Sequence, residues 1–174
     1  MKKNIVTLRS EHHSDPPERI RHSGRAIIIK DNKILLSHEL NTDIYMSPGG
    51  GLEENEELFE CCQREVEEET AYLVAAGSEF ITVEEYCFET LYISHYFPCE
   101  IIGTGQSSLT KTEIEHGITA EWVEVDKALD ILNPNTATKL SDEIGKLDDE
   151  GLQKVLSAMN GAEIAAQLKD LDAK

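Results

Sequence analysis

The sequence predicts an α/β domain in layers, built on a mixed, largely antiparallel sheet. Three observations predict it. Short β-branched runs both precede and follow one strongly helical segment, without the regular alternation a parallel sheet needs. The 174 residues are one domain's worth of chain, long enough to bury a core without staples. The composition, 40% hydrophobic and 29% charged, is that of an ordinary globular protein.

Residues 1–22 are polar and mixed, and Pro16-Pro17 marks irregular structure, so this stretch reads as a solvated N-terminal extension. Arg25 to Lys30 and Lys33 to Ser37 are apolar, β-branched runs. Asp31-Asn32 between them tolerates the left-handed turn region, so 24–37 reads as a hairpin. Ile44-Tyr45-Met46 is a short extended piece leading into Ser47-Pro48-Gly49-Gly50-Gly51, which reads as a loop where backbone approaches something closely. Glu56 to Ala71 reads as a helix with Leu58, Phe59, Cys62 and Val66 on its apolar stripe. Strands are expected over 80–90 and 91–102, a Gly/Ser/Thr loop over 103–112, and a strand over 122–125. Asp126 can N-cap a helix through Leu132, and Asn133-Pro134-Asn135 breaks the chain. From Thr138 to Asp172 the apolar spacing is helical, interrupted by Gly145, Gly151 and Gly161. The organisation is therefore an extension over 1–22, a domain over 23–134 and a helical C-terminal extension over 135–174 packed on it.

Sixteen Lys and Arg against 34 Asp and Glu give a net charge of −18. Such a chain repels nucleic acid backbones and anionic membrane surfaces, so neither is an expected partner. An anionic substrate stays open if a cation mediates. No apolar run approaches the about 18 residues that span a membrane, and residues 1–15 lack the apolar stretch of a signal peptide. Cys61, Cys62, Cys87 and Cys99 form no C-x2-C pair, and they are expected as reduced thiols in a cytoplasmic protein.

Residues 53–69 hold nine carboxylates and one base, Arg64. Glu65 with Glu68 and Glu65 with Glu69 are like-charge pairs at helical spacing, near a helix C-terminus that disfavours anions. A sequence that accumulates such local penalties is using them. At about 100° per residue, Glu65, Glu68 and Glu69 share one face and can converge on a hard cation. Oxygen-only ligands select Mg²⁺, Mn²⁺ or Ca²⁺, and Mg²⁺ commonly takes substrate phosphates as further ligands.

The spacing goes further. Gly50, Glu56, Arg64, Glu65, Val66, Glu68 and Glu69 match the Nudix box, G-x5-E-x7-R-E-U-x-E-E-x-G-U with U apolar, and Ser47-Pro48-Gly49-Gly50-Gly51 resembles the loop that leads into it. Ala71 stands where the family has Gly, and Tyr72 fills the last apolar position. The resemblance implies a Nudix-type α/β/α sandwich and hydrolysis of a nucleoside diphosphate linked to another moiety, with Mg²⁺ or Mn²⁺. It implies Glu65, Glu68 and Glu69 as metal ligands, the Gly50 carbonyl as a further ligand, and Arg64 as a cation that orients the glutamates with Glu56 as partner. Gly49, Gly50 and Gly51 would line the substrate, with Tyr45 or Tyr92 stacking on a base. The general base is a box glutamate or a later acid, and Glu113, Glu115 and Glu121 are the candidates, with Glu115 preferred. The expected partner is a small nucleotide-type molecule, and a homodimer is left open. The rival reading is a Nudix-fold protein that binds a nucleotide without catalysis, and retention of all three box glutamates favours the enzyme.

Overall fold

The structure is a computed structural model and describes residues 4–135. In chain order its elements are β1 (Asn4–His13), β2 (Arg19–Ile27), β3 (Ile29–Lys30), β4 (Lys33–Glu39), β5 (Ile44–Met46), β6 (Gly49–Gly51), α1 (Leu58–Thr70), β7 (Tyr72–Ala76), β8 (Ile81–Phe88), β9 (Thr90–Thr104), α2 (Lys111–His116), β10 (Ile118–Glu124) and α3 (Val125–Asn135). The larger sheet runs β1-β8-β9-β2-β6, with β7 also on β9, and the smaller runs β10-β4-β3, with β5 also on β4. Among the described residues only β1 with β8 and β2 with β9 pair in parallel. The mixed, largely antiparallel sheet expected from the sequence is therefore present. No helix among the described residues is long and apolar enough to cross a membrane.

Helix α1 packs across both sheets through Cys62 and Val66, against Ala26, Leu35, Val74 and Phe97. Gly24 makes this possible, because a Cβ there would lie 2.6 Å from the Leu58 carbonyl oxygen. On the other side of the smaller sheet, α3 places Ala128, Ile131 and Leu132 against Ile34, Leu36 and Val123. The order helix, sheet, helix follows from β4, whose successive side chains face opposite ways.

Several expectations are corrected. Residues 4–13 are not a solvated extension but the strand β1, with Val6 and Leu8 both 5% exposed. Its apolar side is only two residues wide, which a polar surrounding sequence conceals. Strand β2 begins at Arg19 and crosses the expected boundary at residue 22. Gly49–Gly51 is not a loop but β6, paired with Ser23–Arg25, because a glycine keeps both its backbone hydrogen-bonding groups. On α1, Phe59 is 45% exposed and Cys61 is buried in its stead. Strand β7 and helix α2 are additions, the latter inside what reads as a Gly/Ser/Thr loop. Asp126 lies in the first turn of α3 and not ahead of it, and α3 continues through Asn135. The helical pattern expected over 138–172 lies outside the described residues.

The hairpin expected over 24–37 forms only at its turn end, where Ile29 pairs with Ile34 and Lys30 with Lys33 and Asp31 and Asn32 adopt φ 50° and 61°, whereas residues 24–27 belong to β2 of the larger sheet. All four cysteines are free thiols.

Candidate active site

Helix α1 starts at a capping box, in which Glu60 accepts the Glu57 amide at 3.0 Å and Glu57 caps the first turn. It ends at Ala71, which adopts the left-handed conformation with φ 59° and ψ 17°. Its last carbonyls would be orphaned there. The segment after β9 covers them: the Gly105 amide donates to Ala71 O at 2.8 Å, and Ser108 N and Ser107 Oγ donate to Glu68 O at 3.0 and 2.7 Å. This segment leads into α2 and so carries Glu113 toward the helix.

Arg64 is the hub of the acidic face. Its Nε donates to Glu56 Oε1 at 2.7 Å and its Nη2 to Glu56 Oε2 at 2.9 Å. Nη1 reaches Glu65 at 2.8 Å and Glu68 at 3.3 Å, and Nη2 also donates to the Gly51 carbonyl at 3.2 Å. One guanidinium thus ties together Glu56, the two glutamates and the glycine strand. The hydrogen bonds from Arg64 hold the Glu56 carboxyl below the usual carboxylate range.

Glu65 lies against β6, so closely that a Cβ on Gly50 would collide with its carboxylate. That is the close approach the glycine run implies. Burial raises the Glu65 pKa, with Arg64 opposing. Glu69 is deeper. It accepts from the Ser37 hydroxyl and from the Gly49 amide at 3.3 Å, and burial pushes its pKa up to about 7. Both of those donors are neutral. Arg25 is the cation that lowers it, from a position where its Nη1 donates to the Ser47 carbonyl at 2.9 Å. Glu67 departs from the face and packs on Gly105.

Among the described residues no three His, Cys, Asp or Glu side chains stand close enough together to hold an ion as they are. The chain's own donors occupy the carboxylates. The donor set nevertheless fits a hard cation, because its ligands are all oxygen and two of them are part-buried carboxylates whose charged form a cation would favour.

The later acids separate clearly. Glu113 is near enough to Glu65 to raise its pKa. The Glu115 side chain is exposed on α2, where its backbone carbonyl accepts from Asn41. Glu121 accepts from His38 Nδ1 at 3.1 Å and from the Tyr45 hydroxyl at 3.2 Å, and Tyr45 stacks on His38 at 3.8 Å. Since Ser37 faces Glu69, its neighbour His38 faces the opposite side of β4. Tyr45 and Glu121 therefore lie across the smaller sheet from the acidic face. Ser37 and Arg25 were not anticipated, and no local spacing signals either, since both reach the helix from other strands.

The family model of the NUDIX domain matches residues 20–144. The chain belongs to that family. Its fold is similar to that of a NUDIX hydrolase from Nitrosomonas europaea, with 21% identity over 80% of this chain and 90% of that one and a TM-score of 0.60. A MutT NUDIX hydrolase from Burkholderia pseudomallei is 18% identical over 62% and 84% of the two chains, with a TM-score of 0.51. A UDP-X diphosphatase is 21% identical over 88% and 66%, with a TM-score of 0.56. No curated protein matches the sequence.

Proposed function

We propose that the protein is a Nudix hydrolase that cleaves the pyrophosphate linkage of a nucleoside diphosphate joined to another moiety, using Mg²⁺ or Mn²⁺. The observation that supports this reading is the pair of part-buried carboxylates, Glu65 and Glu69, set against the Gly49–Gly50 backbone, where burial raises the pKa of both against the opposing Arg64 and Arg25. Glu65, Glu68 and Glu69 would hold the metal, with the Gly50 carbonyl as a further donor. A metal held there would supply charge neutralisation for the pyrophosphate and lower the pKa of an attacking water. Arg64 keeps Glu65 and Glu68 on one side of the helix, and Glu56 keeps Arg64 in place. Glu113 takes the proton from the attacking water, being the later acid nearest the box, whereas Glu115 faces solvent. Ser37 fixes the Glu69 carboxylate and supplies no chemistry of its own. UDP-sugars, ADP-ribose and nucleoside triphosphates are the substrates to test.

The test is a screen of such compounds with Mg²⁺ or Mn²⁺, with product identification, on wild type, Glu113→Gln and Glu115→Gln. Hydrolysis that EDTA abolishes, lost in Glu113→Gln and kept in Glu115→Gln, is the expected result. Metal-dependent nucleotide binding with no turnover on any compound would support the binding protein over the enzyme.

A further inference from the structure

The face of β2 turned away from α1 carries two arginines, Arg21 and Arg25, in an otherwise acidic chain. Gly24 faces α1, so Arg21, Ser23 and Arg25 face the other way. In the sheet register Arg21 stands beside Tyr92 of β9, and Tyr92 beside Glu85 of β8. Directly opposed residues point to the same face. The three side chains therefore form a row across three strands, about 10 Å from end to end at the ordinary strand spacing. Ser23 and Ser94, in the adjoining row, join by a hydroxyl hydrogen bond of 3.0 Å.

Among the exposed cations Arg9 reaches Asp15 at 3.4 Å, Arg19 reaches Glu89 at 3.9 Å and Lys33 reaches Glu124 at 3.5 Å, while Lys30, Lys111 and Lys127 make no ion pair among the described residues. What sets Arg21 apart is its place beside the glycine strand. Arg21 is exposed and makes no ion pair among the described residues. Its guanidinium instead lies over β6, where a Cβ on Gly51 would meet only Arg21 Nη2, at 3.6 Å. Gly51 is the residue whose carbonyl Arg64 holds, and its neighbour Gly50 touches Glu65. Since β6 is the edge of its sheet, Arg21 and the box glutamates sit on the two sides of one bare glycine strand. Beside Arg21, Tyr92 is 41% exposed and its hydroxyl makes no hydrogen bond among the described residues.

We infer that Arg21, Tyr92 and Glu85 form a subsite for the nucleoside phosphate portion of the substrate. A planar guanidinium matches phosphate oxygens with two donors at once. A flat exposed ring stacks with a base of any identity. A carboxylate at the far end accepts from an exocyclic amino group, which adenine carries and uracil does not. The row reads phosphate, ring, amino edge, in that order outward from the glycine strand. This rests on the nucleotide hydrolase reading and narrows it to an amino-bearing base.

Calorimetry of the full chain with Mg²⁺ and either ADP or UDP tests the subsite, together with ADP-ribose hydrolysis. Wild type binds ADP, and more tightly than UDP. Arg21→Ala and Tyr92→Ala each weaken ADP binding by roughly tenfold or more, the size of a lost stacking or phosphate contact. Their melting temperatures stay at the wild-type value, and for hydrolysis the loss falls on KM. Glu85→Gln narrows the ADP-over-UDP preference. ADP affinities and KM values equal to wild type in both Arg21→Ala and Tyr92→Ala overturn the subsite while leaving the hydrolase reading intact. ADP binding that depends on Arg21 and Tyr92, without hydrolysis of any compound, keeps the subsite and removes the enzyme. Equal binding of ADP and UDP by wild type removes Glu85 from the site, and no ADP binding by wild type overturns the whole subsite.

Discussion

Arg64 grips the Glu56 carboxylate with two nitrogens, Nε on one oxygen at 2.7 Å and Nη2 on the other at 2.9 Å. This two-point contact orients the guanidinium whose third nitrogen serves Glu65 and Glu68. Glu56→Gln keeps the shape and removes the charge, so it should cost about 1–2 kcal/mol in a urea melt at neutral pH. The Glu56 pKa is lowered in the folded state, so its contribution is present above its unfolded pKa and is lost as pH falls through the folded value. Melts of wild type and Glu56→Gln should therefore converge in acid. A difference that persists at pH 2 would mean that the pair is not ionic in origin.

Glu69 gives the opposite pH dependence. Its folded pKa is raised to about 7 by burial. Folding is then favoured while the group is protonated, and that advantage shrinks as pH rises from the unfolded pKa through the folded one. In EDTA, wild type should lose stability between about pH 4.5 and pH 7 at this site, and Glu69→Gln should flatten that part of the profile. Saturating Mg²⁺ should raise the melting temperature most at the alkaline end, where the carboxylate is charged. A wild-type profile that Glu69→Gln leaves unchanged would place the titration elsewhere.

For catalysis, Glu68→Gln and Glu69→Gln should each lower turnover by about 10²-fold or more, the usual size of a lost electrostatic contact at a charged transition state. The fold should survive both, because each removes one of several crowded like charges. Circular dichroism with initial rates separates the two effects. Wild-type rates in both variants would move the metal elsewhere.

Ala71 permits a sharper stability test. It occupies a left-handed conformation that costs an L-residue about 1 kcal/mol and costs glycine nothing. Ala71→Gly should be neutral or stabilising by up to about 1 kcal/mol, part of the gain being offset by the freer unfolded chain. A denaturant melt gives the sign. Destabilisation would mean that the helix runs through residue 71.

The helix and its charged face were legible because the information is local. Apolar spacing fixes α1, and the placement of Arg64, Glu65, Glu68 and Glu69 on one face is set by helix geometry alone. The hairpin at Asp31-Asn32 was legible for the same reason. What escaped depends on other parts of the chain. Ser37 touches Glu69 because β4 lies beside α1. Glu113 comes nearer to Glu65 than Glu115 does because the segment after β9 closes the end of α1. Tyr45 and Glu121 fall across a sheet whose face assignment needs the register of β10 on β4. Strand β6 escaped because glycine advertises freedom and not pairing.

The register of β1 sets a timetable for biosynthesis. Asn4 pairs with Ile81, and Arg19 pairs with Thr90, each some 70–80 positions further along the chain. At the usual elongation rate of 5–20 residues per second, the first two strands leave the ribosome roughly 4–15 s before their parallel partners exist. During that interval Val6 and Leu8 have no sheet to enter. The 13 residues of α1 are synthesised in the same interval, but a helix so short and so acidic is marginal alone, so it too waits for the sheets that bury Cys62 and Val66.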